Sequence, residues 1–173
     1  AAAGDLGGNG ATMHANLARL AERGIGHLRL MLPHELNHQI YHGAHPGTPL
    51  SLVRAIVEEG FCCFVNWLCW GSHDSPALHA DFAAGDWDWA VAHERQVIDS
   101  VLPQLDSTAW DRIKPYHQWH VYPWEGAADR LAYFLGFRLC EAYVRRFGQR
   151  SLADLYELEP MAVWTRSGYA AEA

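Results

Sequence analysis

Residues 34–38 read His-Glu-Leu-Asn-His. On a helix, positions four apart share a face, so His34 and His38 could grip one zinc ion between their imidazoles. The glutamate between them, Glu35, would then face water on that ion. Zinc lowers the pKa of such water toward neutrality, and a neighbouring carboxylate can take its proton. The chemistry expected of this spacing is hydrolysis by metal-activated water, with Glu35 as general base. The competing possibility is a polar helix whose histidines are incidental.

A third ligand decides the class. The metzincin pattern would need glycine at 41 and histidine at 44, where this chain has Tyr41 and Ala44. His42 continues the row from His34 and His38. Eight residues span roughly 12 Å along a helix, so His34 and His42 could not share one ion. His42 is expected behind the ligands or at the surface, and His45 is a weaker rival. The other route is a glutamate from a following helix, giving His₂Glu coordination with one open position. Glu58 and Glu59 lie inside the apolar run "LVRAIVEEGFCCFV". A carboxylate there is costly without a partner, and a zinc ion would be one. Leu52, Ile56, Glu59 and Cys63 form one stripe, which places Glu59 among buried neighbours. Glu58 shares a stripe with Arg54 and is expected nearer solvent. Gly60 would let another backbone, or the metal helix, pack close.

These residues need helices to carry them. Apolar spacing predicts a helix from about His14 to Arg23, stopped by Gly24 and Gly26. A second should begin near Leu32, because Pro33 fits only a first turn. Thr48 or Ser51 can cap a third, from Pro49 to about Trp70. The stretch "GSHDSPALHADFAAGDWDWA" opens as loop. "WAVAHERQVIDSVLPQL" looks helical up to Pro103, and "DSTAWDRIKPYHQWHVYPWEG" looks irregular. "AADRLAYFLGFRLCEAYVRRFG" is the clearest long helix, stopped by Gly148, and "SLADLYELEP" is a short one. No internal repeat is visible, nor any run of alternating strand pattern. The first dozen residues, small and glycine-rich, read as loop. The expected fold is mainly α, with a few strands at most and with strands lost or missing at the N-terminus.

Composition sets the outer bounds. At 173 residues, half of them hydrophobic, the chain should form one domain, 1–173, with a true core. A formal net charge of −7 argues against a nucleic-acid partner. No apolar run reaches the ~18 residues of a membrane-spanning helix. The 11 histidines nearly match the 13 Lys and Arg, and there are 8 tryptophans, which suit cores and ligand grooves. Four cysteines without Cys-x-x-Cys spacing read as buried, reduced thiols of a cytoplasmic protein. The start at Ala1, in "AAAGDLGGNGAT", reads like the interior of a longer precursor.

"HELNH", a loop and then "SLVRAIVEEGF" together resemble the gluzincin metallopeptidases, whose second motif reads Glu-Gly-Phe or Glu-Gly-Leu. More narrowly, "LPHELNHQIY", "LVRAIVEEG" and "RLAYFLGFRLCEAYVRRFG" look like the DUF2268 family of predicted zinc-dependent proteases. In that family a Gly-Tyr-x-x-Gly-Tyr-like helix follows the zinc helices; here it reads Ala132-Tyr133-Phe134-Leu135-Gly136-Phe137. The resemblance spans roughly residues 28–158. It implies a zincin-like helical domain, with zinc held by His34, His38 and Glu59, Glu35 as catalytic base, and a peptide or protein substrate. Because similar enzymes often stabilise the oxyanion with Tyr or His, Tyr133 is the first candidate, against its alternative as a core tyrosine. Gly136, one turn on, could clear space beside it. His117, His120 and Tyr122 are rivals, and Trp119 and Trp124 would shape a groove or simply fill core. The alternative to an enzyme is a zinc-stabilised, catalytically silent peptide- or protein-binding module. A metal-free helical interaction protein is the third reading.

Overall fold

A computed structural model describes residues 6–8, 13–15, 17–70, 74–80, 82–83 and 85–173. The fold is mainly α. β1 (Leu6–Gly8) and β2 (Met13–Ala15) pair antiparallel, with Gly7 opposite His14. Helices α1 (Leu17–Ala44), α2 (Leu52–Cys69), α3 (Pro76–His79), α4 (Asp86–Ala92), α5 (Glu94–Val101) and α6 (Trp110–His117) follow. After them come α7 (Leu131–Phe147), α8 (Asp154–Glu157), α9 (Pro160–Ser167) and α10 (Tyr169–Glu172). Among the described residues, no helix is long and apolar enough to cross a membrane.

The centre of the fold is α2. Ser51 caps it, its hydroxyl accepting from the Arg54 amide at 3.3 Å. Every residue from Leu52 to Phe64 is buried, as expected of a helix apolar on nearly all sides. α1, α6, α7 and α9 surround it. The tightest of these contacts is with α7. A Cβ on Gly60 would lie 2.0 Å from the Gly136 carbonyl carbon, and a Cβ on Gly136 would lie 1.8 Å from the Ile56 oxygen. Two backbones therefore touch where both residues lack a side chain, so the partner that Gly60 admits is α7. Beside this crossing, Phe64, Phe134, Phe137 and Trp87 pack edge to face.

Several element boundaries differ from those expected. The first dozen residues are not all loop, since they include β1; residues 1–5 and 9–12 lie outside the described ones. His14 lies in β2, and the first helix starts at Leu17. Gly24 does break α1, with φ 81 and ψ 171, but Gly26 does not, and the second half runs through Pro33. Pro33 removes one bond to the carbonyl four residues back. Arg29 and Leu32 are exposed there, so water can satisfy that carbonyl. α2 begins at Leu52 rather than Pro49. The helix expected up to Pro103 is divided at His93 into α4 and α5. Residues 110–117, expected to be irregular, form α6 with Pro115 inside it. α7 starts after Arg130, whose φ is 49.

The glycine contact makes a direct prediction. Gly136→Ala should destabilise the fold by about 3 kcal/mol or more, because backbone cannot move aside as a side chain can. Gly43→Ala, where a Cβ meets nothing within 4 Å, should be neutral or stabilise by up to about 1 kcal/mol. Urea unfolding of the two variants measures both.

Candidate metal centre

Glu59 sits on α2 with His34 and His38 facing it from α1. Its Oε2 lies 3.2 Å from His38 Nε2 and 3.5 Å from His34 Nε2, and the two nitrogens are 3.1 Å apart. Glu59 is 8% exposed, and its Oε2 is enclosed without a hydrogen-bond partner of proper geometry among the described residues. Three donor atoms from three side chains thus converge on one point. For tetrahedral zinc with ligand bonds of about 2.0–2.1 Å, neighbouring ligand atoms stand about 3.3 Å apart. The observed separations bracket that value, and an orphaned carboxylate oxygen is what such an ion would satisfy. The residues present fit zinc.

Each of the three side chains is held from behind. His38 Nδ1 lies 3.0 Å from Glu58 Oε1, which suits a ring that donates to a carboxylate while its other nitrogen binds a metal. The same Glu58 oxygen accepts from His42, and Arg54 Nε donates to Glu58 Oε2 at 3.3 Å. The Arg54 guanidinium is anchored in turn on the Thr48 carbonyl. His34 Nδ1 faces Cys63 Sγ at 3.7 Å, and His117 Nε2 lies 2.9 Å from Glu59 Oε1.

Glu58 corrects the sequence expectation. It is 6% exposed, not turned toward solvent. The stripe shared with Arg54 is real, but α2 has no solvent edge there, so the pair is buried together. A signal was present: Arg54, Glu58 and Glu59 are the only charged residues of α2, and none could be buried without partners. His42 reaches Glu58 and not the converging atoms, with its ring 43% exposed.

Electrostatics follow the packing. Burial alone would raise Glu59, but the His38 charge, the hydrogen bond with His117 and the nearness of the His34 and His38 rings hold it well below the usual carboxylate range. Burial raises Glu58 as well, and His38 and His42 outweigh it. Burial pushes His38 down, yet Cys62, Glu59 and Glu58 leave it well above its ordinary value. The thiols of Cys62 and Cys63 are pushed up, chiefly by burial.

The remaining candidates divide. Glu35 lies half-buried on α1, and its side chain makes no hydrogen bond or ion pair among the described residues. Tyr133 is beside the cluster, its ring parallel to His34 at 6.4 Å and 5.9 Å from His117. His117 closes α6 instead of lying in a loop. His45 is buried against Tyr41, with ring centroids 4.4 Å apart, and outside the ligand set. His120 has an 80% exposed ring beside Asp129. Trp119, Tyr122 and Trp124 line a cavity of about 700 Å³ with Asp86, Glu125 and Asp129. One residue at the site was missed: Arg130, buried, with its guanidinium 3.5 Å from the Trp119 ring and 4.7 Å from that of Tyr133. Nothing in its sequence neighbourhood marks it, because its position depends on a left-handed backbone at the start of α7.

Two further groupings share these histidines: His34, His38 and Cys62, and His38, His42 and Glu58. In the second, Arg54 already binds the carboxylate, and its positive charge opposes a cation. Comparison with known protein families, curated proteins and solved structures finds no match to this chain.

Two outcomes test the centre. Glu58→Gln should weaken zinc binding about 10- to 100-fold without changing its stoichiometry, as loss of a ligand-orienting contact does. Competition titration against a chromogenic chelator measures this. Despite its burial, Cys62, Glu59 and Glu58 hold the His38 pKa above its ordinary value, and an ion at Nε2 competes with the proton there. Zinc affinity should therefore weaken as pH falls and strengthen as it rises. Calorimetry in buffers of different ionisation enthalpy should record net proton release.

Proposed function

We propose that this chain is a zinc-dependent peptide hydrolase of the gluzincin type, with His34, His38 and Glu59 as the zinc ligands. The observation that carries it is the convergence of His34 Nε2, His38 Nε2 and the orphaned Glu59 Oε2 at mutual distances of 3.1 to 3.5 Å. When bound, zinc supplies a Lewis acid that lowers the pKa of water toward neutrality and polarises a scissile carbonyl. Glu35 accepts the proton of the attacking water and passes it to the departing amine. Its lack of a competing partner supports that role. Glu58 and Cys63 hold the two imidazoles in orientation, and His117 holds the free oxygen of Glu59. Tyr133 donates its hydroxyl to the oxygen on which charge develops. Its ring contacts with His34 and His117 support a position beside the cluster. The substrate is a peptide or protein. Four free cysteines, three of them buried, support a reducing, cytoplasmic setting.

The second reading is a zinc-stabilised module that binds a peptide or protein without turnover. Cys62 favours it, because a fourth protein ligand beside His34, His38 and Glu59 would close the position that hydrolysis needs.

Glu35→Gln separates the two. It should retain one zinc per chain and lose peptide hydrolysis, since an amide cannot accept the proton; turnover at the wild-type rate would remove Glu35 as the base. Tyr133→Phe should lower kcat about 10²- to 10³-fold with little change in KM, the usual effect of losing one oxyanion donor. An unchanged kcat together with lower stability would return Tyr133 to the core.

A further inference from the structure

We propose that Cys62 is an alternative third ligand of the His34/His38 pair, one that takes thiophilic cations such as Cd²⁺ in place of Glu59. The inference rests on the metal centre proposed above and adds a second way of completing it. The donor atoms of His34, His38 and Cys62 all lie within 4.8 Å of one another. Cys62 follows Glu59 by three residues, so both project from one face of α2 on successive turns. Glu59 offers a hard oxygen to the imidazole pair and Cys62 a soft sulfur. Ligand softness is what selects among cations at otherwise similar sites.

A buried polar chain that the hydrolytic reading does not use supports this. Asn37, 2% exposed, donates its amide to Cys62 Sγ at 3.4 Å. The Tyr156 hydroxyl donates to Asn37 Oδ1 and fixes which way the amide points. A neutral core thiol needs no such donor, whereas a sulfur carrying negative charge is stabilised by one. Binding follows simply: the cation gives up water ligands, one metal–sulfur bond forms, and the thiol proton leaves to solvent. Cys63 is the internal contrast. It faces His34 Nδ1, the nitrogen turned away from the donor cluster, so it supports a ring and does not bind the ion.

The test is a double dissociation on metal-free protein, read by metal affinity and by sulfur-to-metal charge-transfer absorption. Wild type should bind one Cd²⁺ with that absorption. Cys62→Ala should lose the absorption and more than about 100-fold in Cd²⁺ affinity, beyond what an outer contact costs, while Zn²⁺ affinity changes less than about tenfold. Glu59→Gln should do the reverse, keeping Cd²⁺ and its absorption while losing Zn²⁺. Should Cys62→Ala fail to fold, a chain with Cys63, Cys69 and Cys140 all changed to Ala must keep the absorption. Cd²⁺ binding without a sulfur band, a band that survives Cys62→Ala, or one abolished by Cys63→Ala would overturn the proposal. Failure of the zinc centre itself would look different: Zn²⁺ binding absent, or indifferent to Glu59→Gln, with the Cd²⁺ results intact.

Discussion

Everything at the site depends on two backbones touching. Gly60 and Gly136 let α2 and α7 cross with no side chain between them, so that either Cβ would strike main chain of the other helix. Glu59 immediately precedes one glycine, and Tyr133 lies three residues before the other. The crossing therefore fixes a carboxylate on one helix near a phenol on the next. It also takes Glu59 out of water, which makes it need a partner. His117 of α6 meets that need at one oxygen, and the imidazoles of α1 stand at the other. Fold and chemistry are linked here by a single packing constraint.

The second consequence of that burial is a dense set of charges around α2. Arg54, Glu58 and Glu59 are each less than a tenth exposed, a costly arrangement unless every group is matched. It is matched almost completely. Arg54 and two histidines share Glu58, and His117 takes one oxygen of Glu59. Among the described residues, the atom of these three side chains left enclosed and unmatched is Glu59 Oε2, and it faces the two histidine nitrogens. A network built only for stability would have no reason to leave an enclosed carboxylate oxygen unsatisfied at that point.

Much of this was legible in the sequence, and for physical reasons. The four-residue spacing of His34 and His38 needs only helix geometry, and it survives the error in where that helix starts. Glu59 was legible because a carboxylate in an apolar run must have a partner, and Gly60 because a missing side chain marks a close approach. Glu58 was misjudged because stripe arguments assume a helix with a wet side, which α2 lacks. His117 could be named as a candidate but not placed, since α6 runs through Pro115 and its contact with Glu59 joins residues 58 positions apart. Arg130 was invisible, its position depending on one left-handed residue. The mainly helical class followed from periodicity alone, whereas the zincin-like arrangement rests on the resemblance and belongs to the proposal.

The central claim is that His34, His38 and Glu59 hold one zinc and leave a position open. Its most direct test is a crystal structure of zinc-loaded protein with anomalous data at the zinc edge. The expected result is one peak, about 2.0–2.2 Å from His34 Nε2, His38 Nε2 and Glu59 Oε2, with a non-protein oxygen completing the tetrahedron. A peak between His42 and Glu58, or one closed by a fourth protein ligand, would contradict it.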